Sequence, residues 1–393
     1  TLKAAFDEAQ PEIILHLAAQ PIVRDSYKNP AYTYETNVMG TVNILECVRN
    51  SSCVKSFLNV TTDKVYLNKE WAWGYRENEE LDGYDPYSNS KSCSELVTHS
   101  YKNSFFNDDH VAISTARAGN VIGGGDFAND RIIPDCIRAA IKHEDIVVRN
   151  PFSTRPYQHV LEPLYAYLMI AAMQYQDIKY AGYYNVGPDD VDCFQTGALV
   201  DLFVSKWGDG MKWVNRYDGG PHEANFLKLD CSKLKTTFGW KPHWNLDTAI
   251  EMVVEWSKCW VEGGDIRACM DNEIKLFMEQ YEKNRDSKLF QALADTVMRA
   301  NWKEVEEEGN MSDVIKEIFA DQFHKCEAEA RAQGEAEGRA EGAASKMIEQ
   351  IMKKYKKGCS VAETADMLEE PQTLIKQIYD VIGQCAPDYL SLI

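Results

Sequence analysis

Tyr87 and Lys91 are the residues of this 393-residue chain whose types and spacing most directly predict acid–base chemistry. They stand four positions apart at the start of a predicted helix, so both side chains project from one face. An ammonium group beside a phenol favours the phenolate, and we therefore expect Lys91 to lower the pKa of Tyr87 and make it a base for a substrate hydroxyl. Taken alone, the pair also fits a surface tyrosine and a solvated lysine.

The segments around this pair favour the chemical interpretation. A predicted strand ends in residues 60–64 (VTTDK), which place hydroxyl groups, a carboxyl group and an amine in direct succession. Asp85 and Pro86 then introduce the helix that carries Tyr87 and Lys91. The strand end and the helix start together predict one active site.

Alternating helices and apolar strands predict the domain that positions these residues. A helix that runs to about residue 9 precedes an apolar strand at 13–19. The same order repeats further on, with helices around 41–49 and 88–103 and strands at 55–61 and 111–117. This order is typical of a doubly wound α/β fold with a parallel sheet. From 151 to 282 the elements are shorter and more mixed, which predicts a smaller substrate lobe.

The C-terminal part of the chain changes in composition toward Glu, Lys, Ala and Gln. This shift predicts a domain over 1–282, a linker over 283–310 and an all-helical tail over 311–393. The residues Gly334, Gly338 and Gly342 lie four positions apart, which fits either close helix–helix packing or a frayed spacer.

Two short helices are predicted near the end of the tail. Gly358 ends one helix, Ser360 and Glu363 form a capping-box pattern for the next, and Pro371 precedes a third. The pattern permits a helix-turn-helix, but the acidic surroundings favour a small interaction module.

Charge and composition exclude several classes of function. The net charge of −19 argues against non-specific binding to nucleic acid or to an anionic membrane, because both need a positive face. Eleven cysteines without a C-x-x-C pair indicate reduced thiols, a cytoplasmic protein and no metal site. The longest apolar runs are shorter than the roughly 20 residues that cross a bilayer.

Residues 1–280 resemble the extended short-chain dehydrogenase/reductases that act on nucleotide sugars. The segments that carry the resemblance are 16–21 (HLAAQP), 36–41 (TNVMGT), 62–66 (TDKVY), 68–71 (NKEW), 83–88 (GYDPYS), 117–126 (RAGNVIGGGD) and 155–163 (RPYQHVLEP). Lys64 follows the Thr-Asp pair where the dTDP- and GDP-sugar dehydratases carry glutamate. This difference indicates the CDP-glucose branch of the 4,6-dehydratases.

The resemblance implies a Rossmann-like sheet, a recycled NAD cofactor, and conversion of CDP-glucose to CDP-4-keto-6-deoxyglucose in deoxysugar synthesis for surface polysaccharide. It implies that Tyr87 takes the proton of the 4-hydroxyl and that Thr62 hydrogen-bonds the same group. Lys64 would remove the proton from C5 while Asp63, acting as an acid, protonates the departing 6-hydroxyl. These two roles require Asp63 to hold a proton and Lys64 to lack one.

Binding residues are also implied by the resemblance. For the cofactor they are Ala18, Ala19, Gln20, Asn37, Thr61, Tyr87, Lys91 and Val121. For the substrate they are Asn120, Arg149 and Arg155. The planar fork of Arg155 suits a diphosphate, with a surface ion pair as the alternative. We interpret His159 as structural, because a lone histidine in an apolar run is more often packed than catalytic.

A complete domain of this family begins with a strand, a glycine-rich turn and a helix that hold the cofactor pyrophosphate. None of these precedes residue 13. We therefore expect an incomplete sheet in which the strand at 13–18 is an unpaired apolar edge. We also expect weak NAD binding, which a micromolar affinity measured by calorimetry would contradict.

Two function classes follow from the sequence. One is an active dehydratase, expected to form a homodimer through the helix that bears Tyr87 and Lys91. The other is a catalytically inactive fragment whose helical tail serves oligomerisation or protein interaction. The tail resembles in composition the helical ends of the Rpn group of transposase-related nucleases. No paired-carboxylate nuclease core is recognisable, so no nuclease residue is assigned.

Overall fold

The computed structural model describes residues 2–106, 110–220 and 224–282, and in the tail residues 324, 328, 346–348 and 350–389. The chain divides into two compact units, Thr1–Phe319 and Ala320–Ile393. The proposed linker at 283–310 lies outside the described residues, as do Gly334, Gly338 and Gly342. The proposed boundaries of the domain and the tail therefore stay predictions.

The first unit alternates strands and helices along the chain. Its strands are β1 (Ile13–His16), β2 (Ser56–Thr62), β3 (Ala112–Ala118), β4 (Asn120–Ile122), β5 (Ile146–Val148), β6 (Thr154–His159), β7 (Tyr183–Val186), β8 (Cys193–Gln195) and β9 (Trp213–Asn215). Its helices are α1 (Leu2–Ala9), α2 (Val23–Lys28), α3 (Pro30–Tyr34), α4 (Gly40–Arg49), α5 (Pro86–Phe105), α6 (Ile132–Lys142), α7 (Leu161–Gln176), α8 (Thr196–Trp207), α9 (Ser232–Phe238), α10 (Leu246–Val261) and α11 (Ile266–Glu282).

The main sheet is parallel and has the strand order β1-β2-β3-β7. All seven residues of β3 are buried, as expected for a strand with helices on both faces. Among the described strands β1 pairs with β2 alone, and its four residues are half-buried. The predicted parallel α/β fold is confirmed, and β1 is an edge strand as predicted.

Helices cover both faces of this sheet. On one face, Phe57 and Ile113 pack with Phe6 and with Ile44 and Val48 of α4. On the other face α7 lies against β2, where the Ser56 hydroxyl donates a hydrogen bond to the Ala171 carbonyl at 2.9 Å. Each fully buried aliphatic or aromatic side chain contributes about 1.5–3 kcal/mol, so packing on both faces stabilises the sheet.

A second lobe forms beside the main sheet. It contains a three-stranded sheet, β4-β6-β8, and the parallel pair β5-β9. Its hydrophobic cluster begins at Ile122 and extends to Val254, with Phe203 and Ile250 fully buried. Gly119 links the lobe to β3, and a Cβ at that position would lie 2.6 Å from the Pro156 carbonyl oxygen. This close backbone contact sets the distance between the two lobes.

The tail unit has a small core of its own. The helices α12 (Val361–Leu368) and α13 (Gln372–Tyr389) follow a helical stretch at 350–356. Ser360 and Glu363 form the predicted capping box, and Gly358 has a φ of 76° at the preceding helix end. The buried side chains of Ile351, Ala365 and Ile375 hold the helices together. In neither unit do the described residues include a helix with the length and hydropathy of a membrane span.

Candidate active site

The end of β2 brings three polar side chains into one short turn. Thr62 leaves the strand in an extended conformation, and its hydroxyl accepts a hydrogen bond from the Lys64 backbone N–H at 3.4 Å. This bond caps a single helical turn over Asp63–Val65. The side chains of Thr62, Asp63 and Lys64 therefore emerge together where the strand ends, as the sequence predicts.

Asp63 is fully buried and its two oxygens have different surroundings. Oδ1 accepts hydrogen bonds from the Thr62 hydroxyl at 2.9 Å and from Lys64 Nζ at 3.3 Å. Oδ2 is buried and has no hydrogen-bond partner among the described residues. Lys64 Nζ also donates to the Asn120 amide oxygen at 3.3 Å, which links this turn to β4.

Helix α5 delivers Tyr87 to the same place. Asp85 caps the helix by accepting a hydrogen bond from the Ser88 N–H at 3.0 Å, and Pro86 occupies the first helical position. The Tyr87 N–H donates to the Ser26 hydroxyl at 3.1 Å. The phenol is hydrogen-bonded to the Thr62 side chain, so the predicted tyrosine and threonine are in direct contact.

The pKa of Tyr87 does not behave as the sequence predicts. The pKa of Tyr87 is raised to about 12, chiefly by burial; the hydrogen bond with Thr62 lowers it, and the charge of Asp63 acts in the same direction as burial. The expectation that Lys91 makes this phenol acidic was therefore wrong. Spacing alone shows that two groups share a helix face, but it does not show that the phenol loses almost all of its contact with water.

Lys91 lies one turn further along the buried face of α5. Its Nζ donates a hydrogen bond to the Val60 carbonyl at 3.1 Å, and burial lowers its pKa to about 8. An ammonium group has three N–H donors, and the described residues accept one of them in a hydrogen bond. The predicted role of Lys91 in binding the cofactor stays a prediction.

The residues that follow β1 form a buried hydrogen-bond network. The Asn37 side chain accepts from the Gln20 N–H at 2.8 Å and donates to the Gln20 carbonyl at 3.1 Å and to the Ser90 hydroxyl at 2.9 Å. These bonds fix the end of β1 against α5. Ala18 and Ala19 precede them, with Ala18 exposed and Ala19 half-buried.

Residues 1–39 contain no glycine, so they hold no glycine-rich turn of the kind that lets a pyrophosphate approach the backbone closely. The expected weak affinity for NAD stays a prediction.

A cavity of about 870 Å³ joins the strand ends to the second lobe. Among its lining residues are these of the predicted ones: Thr61, Thr62, Lys64, Tyr87, Asn120, Val121, Arg149 and Arg155. The other predicted residues are not among those that line this cavity: Ala18, Ala19, Gln20, Asn37, Asp63 and Lys91. Two parts of the chain that are distant in sequence thus supply one site.

Both predicted substrate arginines already have partners. Arg149 forms an ion pair with Asp130 at 2.7 Å and lies 3.6 Å from Asp135. The buried guanidinium group of Arg155 donates to the backbone carbonyls of Thr154 and Ala224. Arg155 is therefore held rigidly at the cavity wall.

A further arginine at this cavity was missed by the sequence reasoning. Arg24 lines the cavity and forms a two-pronged ion pair with Asp218, at 2.8 and 3.0 Å. A Cβ at Gly220 would lie 2.4 Å from the Arg24 guanidinium group, so a larger residue there would shift the end of the Arg24 side chain. The only signal in the sequence was a turn cluster at 218–221, because the partners are 194 positions apart.

Comparison with known proteins agrees with this geometry. Residues 1–253 match the family model described as GDP-mannose 4,6 dehydratase. CDP-glucose 4,6-dehydratase of Salmonella typhimurium is 48% identical over 283 residues, which cover 70% of this chain and 79% of that protein. dTDP-glucose 4,6-dehydratase of Xanthomonas campestris is 26% identical over 287 residues, covering 66% of this chain and 76% of that protein.

Solved structures show the same fold. UDP-glucuronic acid 4-epimerase from Bacillus cereus, in complex with UDP-glucuronic acid and NAD, superposes with a TM-score of 0.58 at 20% identity. The match covers 66% of this chain and 78% of that one. dTDP-glucose 4,6-dehydratase from Bacillus anthracis with NAD gives a TM-score of 0.54 at 20% identity, over 65% and 76% of the chains. The chain belongs to the GDP-mannose 4,6 dehydratase family of nucleotide-sugar enzymes.

Proposed function

We propose that the chain converts CDP-glucose to CDP-4-keto-6-deoxyglucose by internal redox and loss of water. The observation that carries the proposal is the cluster formed by Thr62, Lys64 and Tyr87 at the wall of one cavity, with the buried Asp63 bonded to Thr62 and Lys64. The 48% identical relative bears the name of this activity. Lys64, which distinguishes the CDP-glucose branch, lies inside the cluster.

The four side chains have complementary tasks in this reaction. Tyr87 takes the proton of the 4-hydroxyl in its phenolate form, and Thr62, hydrogen-bonded to the phenol, orients that hydroxyl. Because the pKa of Tyr87 is raised to about 12, we expect this form to require the positive charge that a bound nicotinamide would bring. Lys91 and the residues at the strand ends would hold NAD, which would supply the hydride chemistry that moves a hydride from C4 to C6. The ketone at C4 makes the proton on C5 acidic, and Lys64 removes it. Asp63 supplies a proton to the 6-hydroxyl, which leaves as water.

The arrangement of Asp63 supports its role as the acid. Its Oδ1 accepts hydrogen bonds from Thr62 and Lys64, whereas the buried Oδ2 has no hydrogen-bond partner among the described residues and so can carry the proton of an acid. Asn120 holds Lys64 Nζ at 3.3 Å, which fixes the amine beside the carboxyl group.

The test is a direct assay of the purified full-length chain with CDP-glucose and NAD. We expect the alkali-induced absorbance of a 4-keto sugar, lost when Tyr87→Phe removes the proton acceptor. UDP-glucose and dTDP-glucose serve as matched substrates and should react at least tenfold more slowly. Absence of any signal would contradict the proposal and favour the catalytically inactive alternative.

We also propose that the chain forms a homodimer in the cytoplasm. On α5 the side chains of Leu96 and Phe105 are 53% and 50% exposed, which supports a contact between two copies of this helix. The nine cysteines whose side chains the structure describes are free thiols, which supports a reducing compartment. Sedimentation analysis of the chain and of a Leu96→Glu variant tests the dimer.

A further inference from the structure

The buried face of α5 carries a third charged residue in line with the active-site pair. Tyr87, Lys91 and Glu95 follow one another at intervals of four, so their side chains lie along the same face. Glu95 is 1% exposed, and neither it nor Lys91 is among the residues that line the active-site cavity. A carboxylate in such a position must have partners, because an unpaired buried charge is costly.

Glu95 has partners on two strands. Its Oε2 accepts hydrogen bonds from the Thr115 hydroxyl at 2.8 Å and from the Arg117 guanidinium group at 2.9 Å. Its Oε1 accepts one from the hydroxyl of Thr61, the residue before Thr62. One side chain therefore holds α5 against the end of β2, where the active-site turn begins.

We propose that Glu95 is a positioning residue for the proton transfer at Tyr87. Its carboxylate lies one turn from Lys91 on the same helix face, where its charge favours the ammonium form, and its bond to Thr61 keeps the Thr62 hydroxyl in register with the phenol. This inference rests on the proposed function. Glu95 does not line the active-site cavity and acts through Lys91 and Thr61.

Among the described groups near Lys91, Glu95 is the one whose charge favours the ammonium form of this lysine. Burial lowers the pKa of Lys91 to about 8, and the Glu95 carboxylate opposes that shift. From β1, His16 also faces Lys91, but burial lowers its pKa to about 4, so it is neutral near pH 7. From β3, Arg117 is paired directly with the Glu95 carboxylate.

Other titratable groups face Glu95 from the opposite side. A second cavity of about 540 Å³ lies behind it, and its titratable lining residues, apart from Glu95 itself, are Glu77, Glu79, His99, Arg117, Tyr183 and Lys233. Burial raises the pKa of Tyr183, and burial lowers the pKa of Lys233. Tyr66 approaches through its hydrogen bond with Arg117 at 2.9 Å.

The test compares Glu95→Gln with the matched control Thr115→Val in the full-length chain. Glu95→Gln removes the charge, so we expect the alkaline limb of the kcat profile to move down by about one pH unit. We expect KM for the nucleotide sugar to stay within about twofold, because no substrate contact is lost. Thr115→Val removes one hydrogen bond to the same carboxylate and should leave the limb in place.

A second readout does not need turnover. Competitive acetylation, followed peptide by peptide with mass spectrometry, gives the pKa of Lys91 directly. We expect it to fall in Glu95→Gln and to stay unchanged in Thr115→Val. Equal Lys91 titration in the wild-type chain and Glu95→Gln would overturn the inference. A chain with no dehydratase activity but a shifted Lys91 would contradict the proposed function alone.

The single variant leaves Arg117 buried without its partner, which threatens folding. If Glu95→Gln does not fold, the double variant Glu95→Gln/Arg117→Gln replaces both partners of the pair. The shift of the Lys91 titration should then be smaller and in the same direction. An unchanged titration in a folded double variant would also overturn the inference.

Discussion

At the scale of single residues, the two carboxyl oxygens of Asp63 have different surroundings. One oxygen is engaged by Thr62 and Lys64, and the other is buried without a hydrogen-bond partner in the described part of the chain. A carboxyl group held in this way is already oriented before substrate arrives. Its contribution should therefore lie in kcat.

Asp63→Asn keeps the shape of the side chain and removes its ability to act as an acid. We expect kcat to fall by about 10²–10⁴, the usual contribution of a positioned acid or base, with a nearly unchanged KM. Steady-state kinetics on CDP-glucose measures both constants. The control is Asp145→Asn, at an exposed aspartate, which should react like the wild-type chain. A kcat within threefold of wild type for Asp63→Asn would contradict its role.

Sequence reasoning finds residues whose chemistry is local in the chain. The turn at 62–64 and the helix start at 85–91 were predicted, and the structure brings them into contact. The sequence does not predict the ion pair of Arg24 with Asp218 or that of Glu95 with Arg117. These pairs form only when distant strands and loops meet. The wrong sign for the Tyr87 pKa has the same origin, since burial is a property of the whole fold.

At the scale of elements, the start of α5 depends on one glycine. A Cβ at Gly83 would lie 2.3 Å from the backbone carbon of Ser88 and 2.5 Å from its oxygen. Backbone cannot move aside as a flexible side chain does. The loop before α5 therefore has to be glycine for the helix to place Tyr87 beside Thr62.

Gly83→Ala should force the first turn of α5 away from this loop. We expect a loss of about 1–3 kcal/mol in the free energy of unfolding, together with a clear loss of turnover. Gly40→Ala is the matched control: Gly40 is helical, with φ of −57° and no atom within 4 Å of an added Cβ. That variant should gain about 0.5–1 kcal/mol. Urea unfolding measures both, and equal stability of the two variants would contradict the account.

Helix α11 contributes an acid with an altered titration. Burial, and next the charge of Glu255, raise the pKa of Glu273 to about 7. His159 faces it at 4.0 Å, and burial lowers the pKa of that histidine to about 4. Because the pKa of Glu273 is higher in the folded chain than in the unfolded one, its contribution to stability is present below about pH 4.5. It is lost as the pH rises through about 7.

Glu273→Gln removes this pH dependence. The free energy of unfolding of the variant minus that of the wild-type chain should be larger at pH 8 than at pH 5. For a shift of this size the change is up to about 3 kcal/mol. Urea unfolding at the two pH values gives the difference. Glu279→Gln, at an exposed position on the same helix, should show no such change. A pH-independent difference for Glu273→Gln would show that its carboxyl group does not titrate in this range.

Most element types were predicted correctly, and the largest differences are at their ends. The first strand was expected over 13–19 and ends at His16, because the residues that follow are bonded to α5 through Asn37. The second lobe was expected from residue 151, yet its hydrophobic cluster begins at Ile122. Periodicity identifies a strand, but the partner strand decides where pairing stops.

At the scale of the whole molecule, the chain contains separate hydrophobic cores. The buried cluster of Ile351, Ala365 and Ile375 draws only on residues of the second unit. The cluster around Phe203 and Ile250 draws only on the first. Composition predicted a helical tail, and the capping signals predicted its helix ends. The sequence did not reveal which apolar residues of the tail would form its core.

Separate cores predict separate responses to core substitutions in the full-length chain. Ile375→Ala should destabilise the second unit by about 2–5 kcal/mol and leave turnover of CDP-glucose unchanged. Ile250→Ala, a matched fully buried position in the first unit, should destabilise that unit and reduce the active fraction on warming. Differential scanning calorimetry, with activity measured along the same temperature range, separates the two effects. Loss of turnover in Ile375→Ala would show that the second unit supports the active site, because its core would then be needed to maintain the first.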